Sequence, residues 1–169
     1  MQRKGMLVAV AAGAAVAVVA VGAAVGLWGG TARASDEWSW PVDAPRQVLR
    51  GFVGPPKPWQ PGHRGVDIAA GPVLRAPADG IVRFAGVVVD RGVLSIDHGD
   101  GVVSSFEPVE AALAAGEPIA RGQAIATVVP GHCGTRCVHV GVRVDGEYRN
   151  PLIWLGGARW PVLLPTRAR

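Results

Sequence analysis

His63-Arg64-Gly65-Val66-Asp67 is the stretch that decides how this chain is read, because a later segment, Cys137-Val138-His139, supplies what it lacks. Residues four apart on an extended strand fall on one face, where i, i+2 and i+4 line up. His63 and Asp67 have that spacing, and a second imidazole from a distant strand, His139, would complete a set of two nitrogens and one oxygen. Neutral imidazole plus carboxylate is a common catalytic zinc set, with the fourth position left for water. A His-x-x-x-Asp spacing also arises often by accident, so its surroundings have to carry the reading.

Working outward, the surroundings read as short strands broken by turns. Twenty-four glycines and fourteen prolines in 169 residues, with 18% charged residues, suit an all-β chain rich in turns. Strands are expected at 48–53, 73–77, 80–85, 93–97, 102–106 and 138–144, with turns at Ala78-Asp79-Gly80, Asp90-Arg91-Gly92 and Asp145-Gly146. Alternation against His63 and Gly65 points Arg64 to solvent. The three alanines and the leucine between Glu110 and Ala115 allow one helical turn. Trp38, Trp40 and Trp59 are expected to pack as core and rim of a small domain, where large aromatics give the most burial per residue.

Several segments stand in a telling order: Trp40-Pro41-Val42, Gly51-Phe52, HRGVDIAA at 63–70, PVLRAPADGIVRFAG at 72–86, IDHGDGVVSSFEPV at 96–109, GEPIARGQAIATV at 116–128, CVHVGV at 137–142 and GEYRNPL at 146–152. In that order and spacing the chain resembles the lysostaphin/LytM-type zinc endopeptidases, which cut peptide crosslinks in bacterial cell walls. The resemblance implies antiparallel sheets of short strands forming an open groove (the LytM-like, duplicated hybrid motif fold), with zinc held by His63, Asp67 and His139. It implies a metalloendopeptidase acting on peptidoglycan peptides. The chain departs from the family at two places. Cys137 stands where the family's final His-x-His motif has its first imidazole, and Pro108 stands where a further helper imidazole belongs.

Substitutes for those helpers are His132, the other imidazole close in sequence to the last metal segment, and Glu107, the ionisable group nearest the missing imidazole. On a regular strand Glu107 faces away from 106 and 108, which favours a structural or solvent role for it. Hydrolysis with one of these as base is the first expectation. A degenerate domain that grips wall peptide, or regulates a wall amidase without cutting, is the alternative. His98, followed by Gly99 and Gly101, reads as a turn residue outside the site.

Arg3-Lys4, an uncharged run from Met6 to Trp28 and Ala32-Arg33-Ala34 form an export signal, either cleaved after Ala34 or kept as a membrane anchor with the domain outside. An extracellular or cell-wall location is therefore expected, with membrane contact only through an uncleaved leader. Export lets Cys133 and Cys137 pair as a disulfide across Gly134-Thr135-Arg136. A free Cys137 would instead share a strand face with His139, as a fourth metal ligand or a reactive thiolate. Of the 17 basic residues, Arg3, Lys4 and Arg33 precede Ser35, which leaves fourteen against thirteen acidic ones. That near-neutral domain, with no basic stripe interleaved with aromatics, argues against nucleic-acid binding. The chain thus divides into a leader (1–34), a Pro- and Trp-rich lead-in (35–61), a metallopeptidase-like β domain (62–156) and a tail (157–169) expected to be mobile.

Overall fold

Alternating β-branched and small residues, stopped by glycine and aspartate turns, build antiparallel strands throughout the described part of the chain. The structure is a computed structural model that describes residues 38–57, 59–131 and 133–156. The leader, the tail and His132 lie outside the described residues, as do the expectations placed on them.

The main sheet contains β1 (Val48–Arg50), β2 (Gly65–Ala69), β4 (Gly80–Val88), β5 (Arg91–Asp97), β6 (Val102–Glu107), β8 (Pro118–Ile119), β10 (Cys137–Val144) and β11 (Glu147–Arg149). Its order is β1-β2-β10-β6-β5-β4-β8, with β11 paired to β10. A second, three-stranded sheet joins β3 (Val73–Arg75), β9 (Ala124–Val128) and β7 (Val109–Ala111). All-β antiparallel architecture is what the sequence leads us to expect.

The period-2 pattern decides which face of the main sheet meets the core. Val138, Val140 and Val142 of β10, Val66 and Ile68 of β2, Phe106 of β6, and Leu94 and Ile96 of β5 are all fully buried in the core. The alternate positions form the opposite face, which carries Asp67, His139, Ser105 and Glu107. At about 25 cal/mol per Å² of apolar surface, burial of this row holds β2 and β10 in register and so fixes the residues on the other face.

Two details depart from the sequence reading. Residues 110–115 form no helical turn: Glu110 and Ala111 belong to β7 and pair with Thr127 and Ala126, so sheet pairing overrides local propensity. The β4–β5 turn falls one residue early, on Val89 and Asp90, with Val89 at φ 61°. The Asp145-Gly146 turn joins β10 to β11 where expected, both residues having positive φ. Of the tryptophans, Trp38 is core and Trp40 packs against it, whereas Trp59 is 77% exposed.

Candidate metal centre

His63 is fixed before β2 begins. Its backbone N–H donates to the Val53 carbonyl at 2.8 Å, and its carbonyl accepts from Val53 N–H at 2.9 Å. The ring Nδ1 donates to the Gly51 carbonyl at 2.7 Å, which fixes the tautomer and leaves the Nε2 lone pair free. Nε2 lies 3.2 Å from Asp67 Oδ1. Asp67 and His139 are direct cross-strand partners on β2 and β10, and His139 Nδ1 lies 2.7 Å from the same Oδ1. One donor atom from each of the three residues lies within 4.8 Å of the others.

These residues fit a metal ion. Four donors around a tetrahedral zinc at its usual bond lengths stand roughly 3.3 Å apart; His63 Nε2 and Asp67 Oδ1 match that at 3.2 Å, while His139 Nδ1 at 2.7 Å stands at direct hydrogen-bond distance and would move out by about 0.6 Å. Asp67 is 2% exposed and His63 7%; a carboxylate so enclosed needs a cation or strong hydrogen bonds to be tolerated. Two imidazoles with one carboxylate suit zinc better than the all-oxygen sets of calcium or magnesium.

Gly65 makes room for this arrangement. A Cβ built there would sit 2.2 Å from the Val140 carbonyl oxygen and 2.5 Å from His139 Nε2. The His139 ring therefore lies where any other residue at 65 would project. The glycine is visible in the His63–Asp67 stretch, but its spatial reason is not. Nor is the Gly51 carbonyl legible as the partner of His63; its only trace is the Gly51-Phe52 pair.

Beside the metal residues runs a groove of about 600 Å³ lined by Ser105, Glu107, His139, Gly141, Arg64, Arg83, Arg143 and Tyr148, among others. Glu107 is the β6 residue directly opposite His139. It does face away from the buried Phe106, but that direction leads into the groove rather than to a bland surface. Arg64 also differs from expectation. It is half-buried and lines the groove, with its guanidinium 5.5 Å from the centre of the Tyr148 ring. The reason lies in the pairing: β2 takes the Cys137–Gly141 half of β10 and β11 takes the Val142–Val144 half, which brings Arg64 and Tyr148 together.

Cys133 and Cys137 form a disulfide with their Cα atoms 6.0 Å apart. Cys137 is therefore neither a thiolate nor a fourth ligand, and that alternative is set aside. His98 stands apart from the metal residues, as expected. It donates from Nδ1 to the Asp79 carbonyl at 2.7 Å, accepts at Nε2 from the buried Ser104 hydroxyl at 2.8 Å, and packs on Trp38. Burial pushes its pKa down, partly offset by the Asp79 carbonyl and nearby carboxylates.

The fold is an all-β domain of antiparallel sheets that carries a groove and a candidate metal site. Residues 61–151 match the model of peptidase family M23, and the chain belongs to that family. Proteins of Mycobacterium tuberculosis and Mycobacterium bovis, each described as uncharacterized, are 37% identical over 107 residues. That alignment covers 60% of this chain and 43% of each relative, so the chain spans less than half the length of the curated relatives it matches. Among solved structures, lysostaphin from Staphylococcus simulans superposes with a TM-score of 0.59 at 19% identity, over 78% of this chain and 60% of that one. SpoIIQ in the SpoIIQ–SpoIIIAH pore forming complex gives a TM-score of 0.61 at 20% identity, over 72% and 92%. The catalytic domain of the prophage-encoded M23 protein EnpA from Enterococcus faecalis, solved as a point mutant, gives 0.54 at 20%, over 68% and 95%. At such identities these structures establish the shared fold.

Proposed function

We propose that this protein is an exported zinc metalloendopeptidase that hydrolyses peptide bonds in peptidoglycan stem peptides or crossbridges. The observation that carries this reading is the convergence of His63, Asp67 and His139 on one point at the edge of an open groove, in a chain of peptidase family M23. Zinc held by these three would polarise the scissile carbonyl and lower the pKa of its water to about 7. Gly141 lines the groove two residues from His139 and places no side chain in it. Glu107, the register partner of His139, is the first candidate to take a proton from water and return it to the leaving amine, work worth typically about 10²–10⁴-fold. His132 is the second candidate for that work and lies outside the described residues. The basic and apolar leader supports export, and the Cys133–Cys137 disulfide suits an oxidising compartment.

One observation favours a second reading, a domain that grips wall peptide or a partner protein without cutting. The two positions at which the family resemblance places helper imidazoles hold Pro108 and a disulfide-bonded Cys137. The fold likeness to SpoIIQ, whose structure was solved in a complex with another protein, is compatible with that. Digestion of purified cell wall by the zinc-loaded chain separates the two: chelator-sensitive release of new amino groups supports the enzyme. Stoichiometric zinc without any release supports the binding domain.

A further inference from the structure

Among the described residues, more than half of the exposed large hydrophobic side chains lie on β4 and the turn after it: Ile81, Phe84, Val87, Val88 and Val89. β4 is also an edge. β8 covers only its first residues, where Val82 donates to the Glu117 carbonyl at 2.9 Å and accepts from the Gly116 amide at 2.8 Å. Beyond the bulge between Val82 and Phe84, β5 pairs with one side of the strand and no described strand pairs with the other. Val88 and Arg91 flank a two-residue turn, the position of a hydrogen-bonded pair, so alternation turns the backbone groups of Ala85 and Val87 to the open side. Both residues line a hollow of about 760 Å³ beside that edge, together with Leu113 and Pro130. Edge strands in natural proteins are blunted by charge, proline or brevity. β1, at the opposite edge, is three residues long and ends on the exposed Arg50. The run Phe84-Ala85-Gly86-Val87-Val88 has no such device.

From this we propose that β4 pairs with β4 of a second copy of this chain, antiparallel about a two-fold axis at Gly86, so that the two main sheets become one. The interface goes beyond the peptidase reading and does not rest on it. In that register Ala85 of each copy faces Val87 of the other, and these are the residues whose backbone groups are open, so about four ladder bonds form. Phe84 faces Val88, an aromatic against a β-branched side chain, which is a favoured cross-strand pair. Val87 of the second copy enters the hollow beside the small Ala85. The Arg83 end of each copy meets the turn of the other at Asp90, which in the single chain pairs with its neighbour Arg91. Opposite charges, not like ones, therefore bracket the strands. A two-fold pair is closed and leaves neither β4 edge open. Other occupants fit less well. Lipid offers no partners to the backbone groups of Ala85 and Val87. The apolar run of the tail, Val162-Leu163-Leu164, is bounded by Pro161 and Pro165, which cannot donate to a ladder. Pairing within one sheet keeps like faces together, so both metal grooves open on the same side, and Phe84 of the second copy adds to the groove wall at Val88.

The test uses the full chain in a mild detergent that keeps the apolar leader soluble. Sedimentation equilibrium should show a monomer–dimer equilibrium. Val87→Lys, at a position 72% exposed in the single chain, should weaken it at least about tenfold with an unchanged circular dichroism spectrum. Gly86→Cys reads the register separately. A Cβ there meets only the far end of the Phe84 ring, at 3.2 Å, and residues facing each other across an antiparallel pair stand roughly 4.5–5.5 Å apart, within reach of a disulfide. Under mild oxidation Gly86→Cys should cross-link into a dimer, whereas Leu49→Cys on β1 should not. That result does not depend on how Val87→Lys folds. A chain that stays monomeric overturns the proposal, whether or not lipid vesicles or a foreign strand then bind the edge. A dimer that Val87→Lys leaves as tight as wild type also overturns it, because the leader or another surface would be the contact. So does equal cross-linking of Gly86→Cys and Leu49→Cys.

Discussion

Replacing Gly65 with alanine adds a single methyl group at the closest approach between the two metal strands. That Cβ would stand 2.2 Å from the Val140 carbonyl oxygen and 2.5 Å from His139 Nε2. Ordinary contact begins near 3.4 Å, so a displacement of about 1 Å is required. The carbonyl belongs to a strand paired on both edges and cannot rotate away as a side chain would. Strands normally sit about 4.8 Å apart, so β2 must lift or the His139 ring must leave Asp67. Overpacking of this kind costs about 1–3 kcal/mol, which lowers Tm by roughly 5–15 °C for a domain of this size. Ligand geometry tolerates only about 0.5 Å of error, so zinc affinity should fall at least about tenfold. Gly141→Ala is the matched control, since its new methyl would meet Ser105 Oγ at 2.7 Å, the end of a side chain that can turn aside. Thermal unfolding and competition for zinc with a chromogenic chelator measure both effects. If Gly65→Ala matches wild type in stability and zinc affinity, or merely equals Gly141→Ala, the steric reasoning is wrong.

Glu107→Gln removes the carboxylate opposite His139 but keeps its shape. Turnover of cell wall should fall about 10²-fold or more with zinc content unchanged, and unaltered turnover would remove Glu107 as the base. Replacing both Cys133 and Cys137 with serine should cost about 2 kcal/mol, the loop-closure value for so short a loop, and leave zinc content as it was. Loss of zinc in that variant would reinstate cysteine near the metal. Burial lowers the pKa of His98 in the folded protein, so the unfolded chain takes up that proton first as pH falls. The stability contributed by neutral His98 is complete above its unfolded value of about 6.5 and is lost as pH drops below it. Urea unfolding from pH 8 to 5 should show a shallower decline in His98→Gln than in wild type; identical slopes would contradict this.

The fold is legible in the sequence through its periodicity, and the three candidate metal residues, named from the family resemblance, do come together in the structure. A period of two turns Asp67 away from the core, and the valines at 138, 140 and 142 bury one face of β10 and turn His139 the same way, whereas His63 precedes β2 and is held beside them by its bridge to Val53. What stays illegible depends on which segments meet across the sheet. Arg64 reads as solvent-directed because alternation along one strand says nothing of β11, which shares an edge of β10 and brings Tyr148 alongside. Alternation does turn Glu107 away from Phe106, but its pairing with His139 is a matter of register between distant strands. Residues 110–115 have helical composition, and pairing of β7 with β9 outweighs it.

The most direct measurement is elemental analysis of the purified chain after equilibration with zinc and removal of excess, beside His63→Ala, Asp67→Ala and His139→Ala. About one zinc per chain is expected in the wild type, and little or none in each variant while its circular dichroism still reports an intact sheet. A folded wild type without zinc, or three folded variants that keep it, would contradict the claim that these side chains form a metal centre.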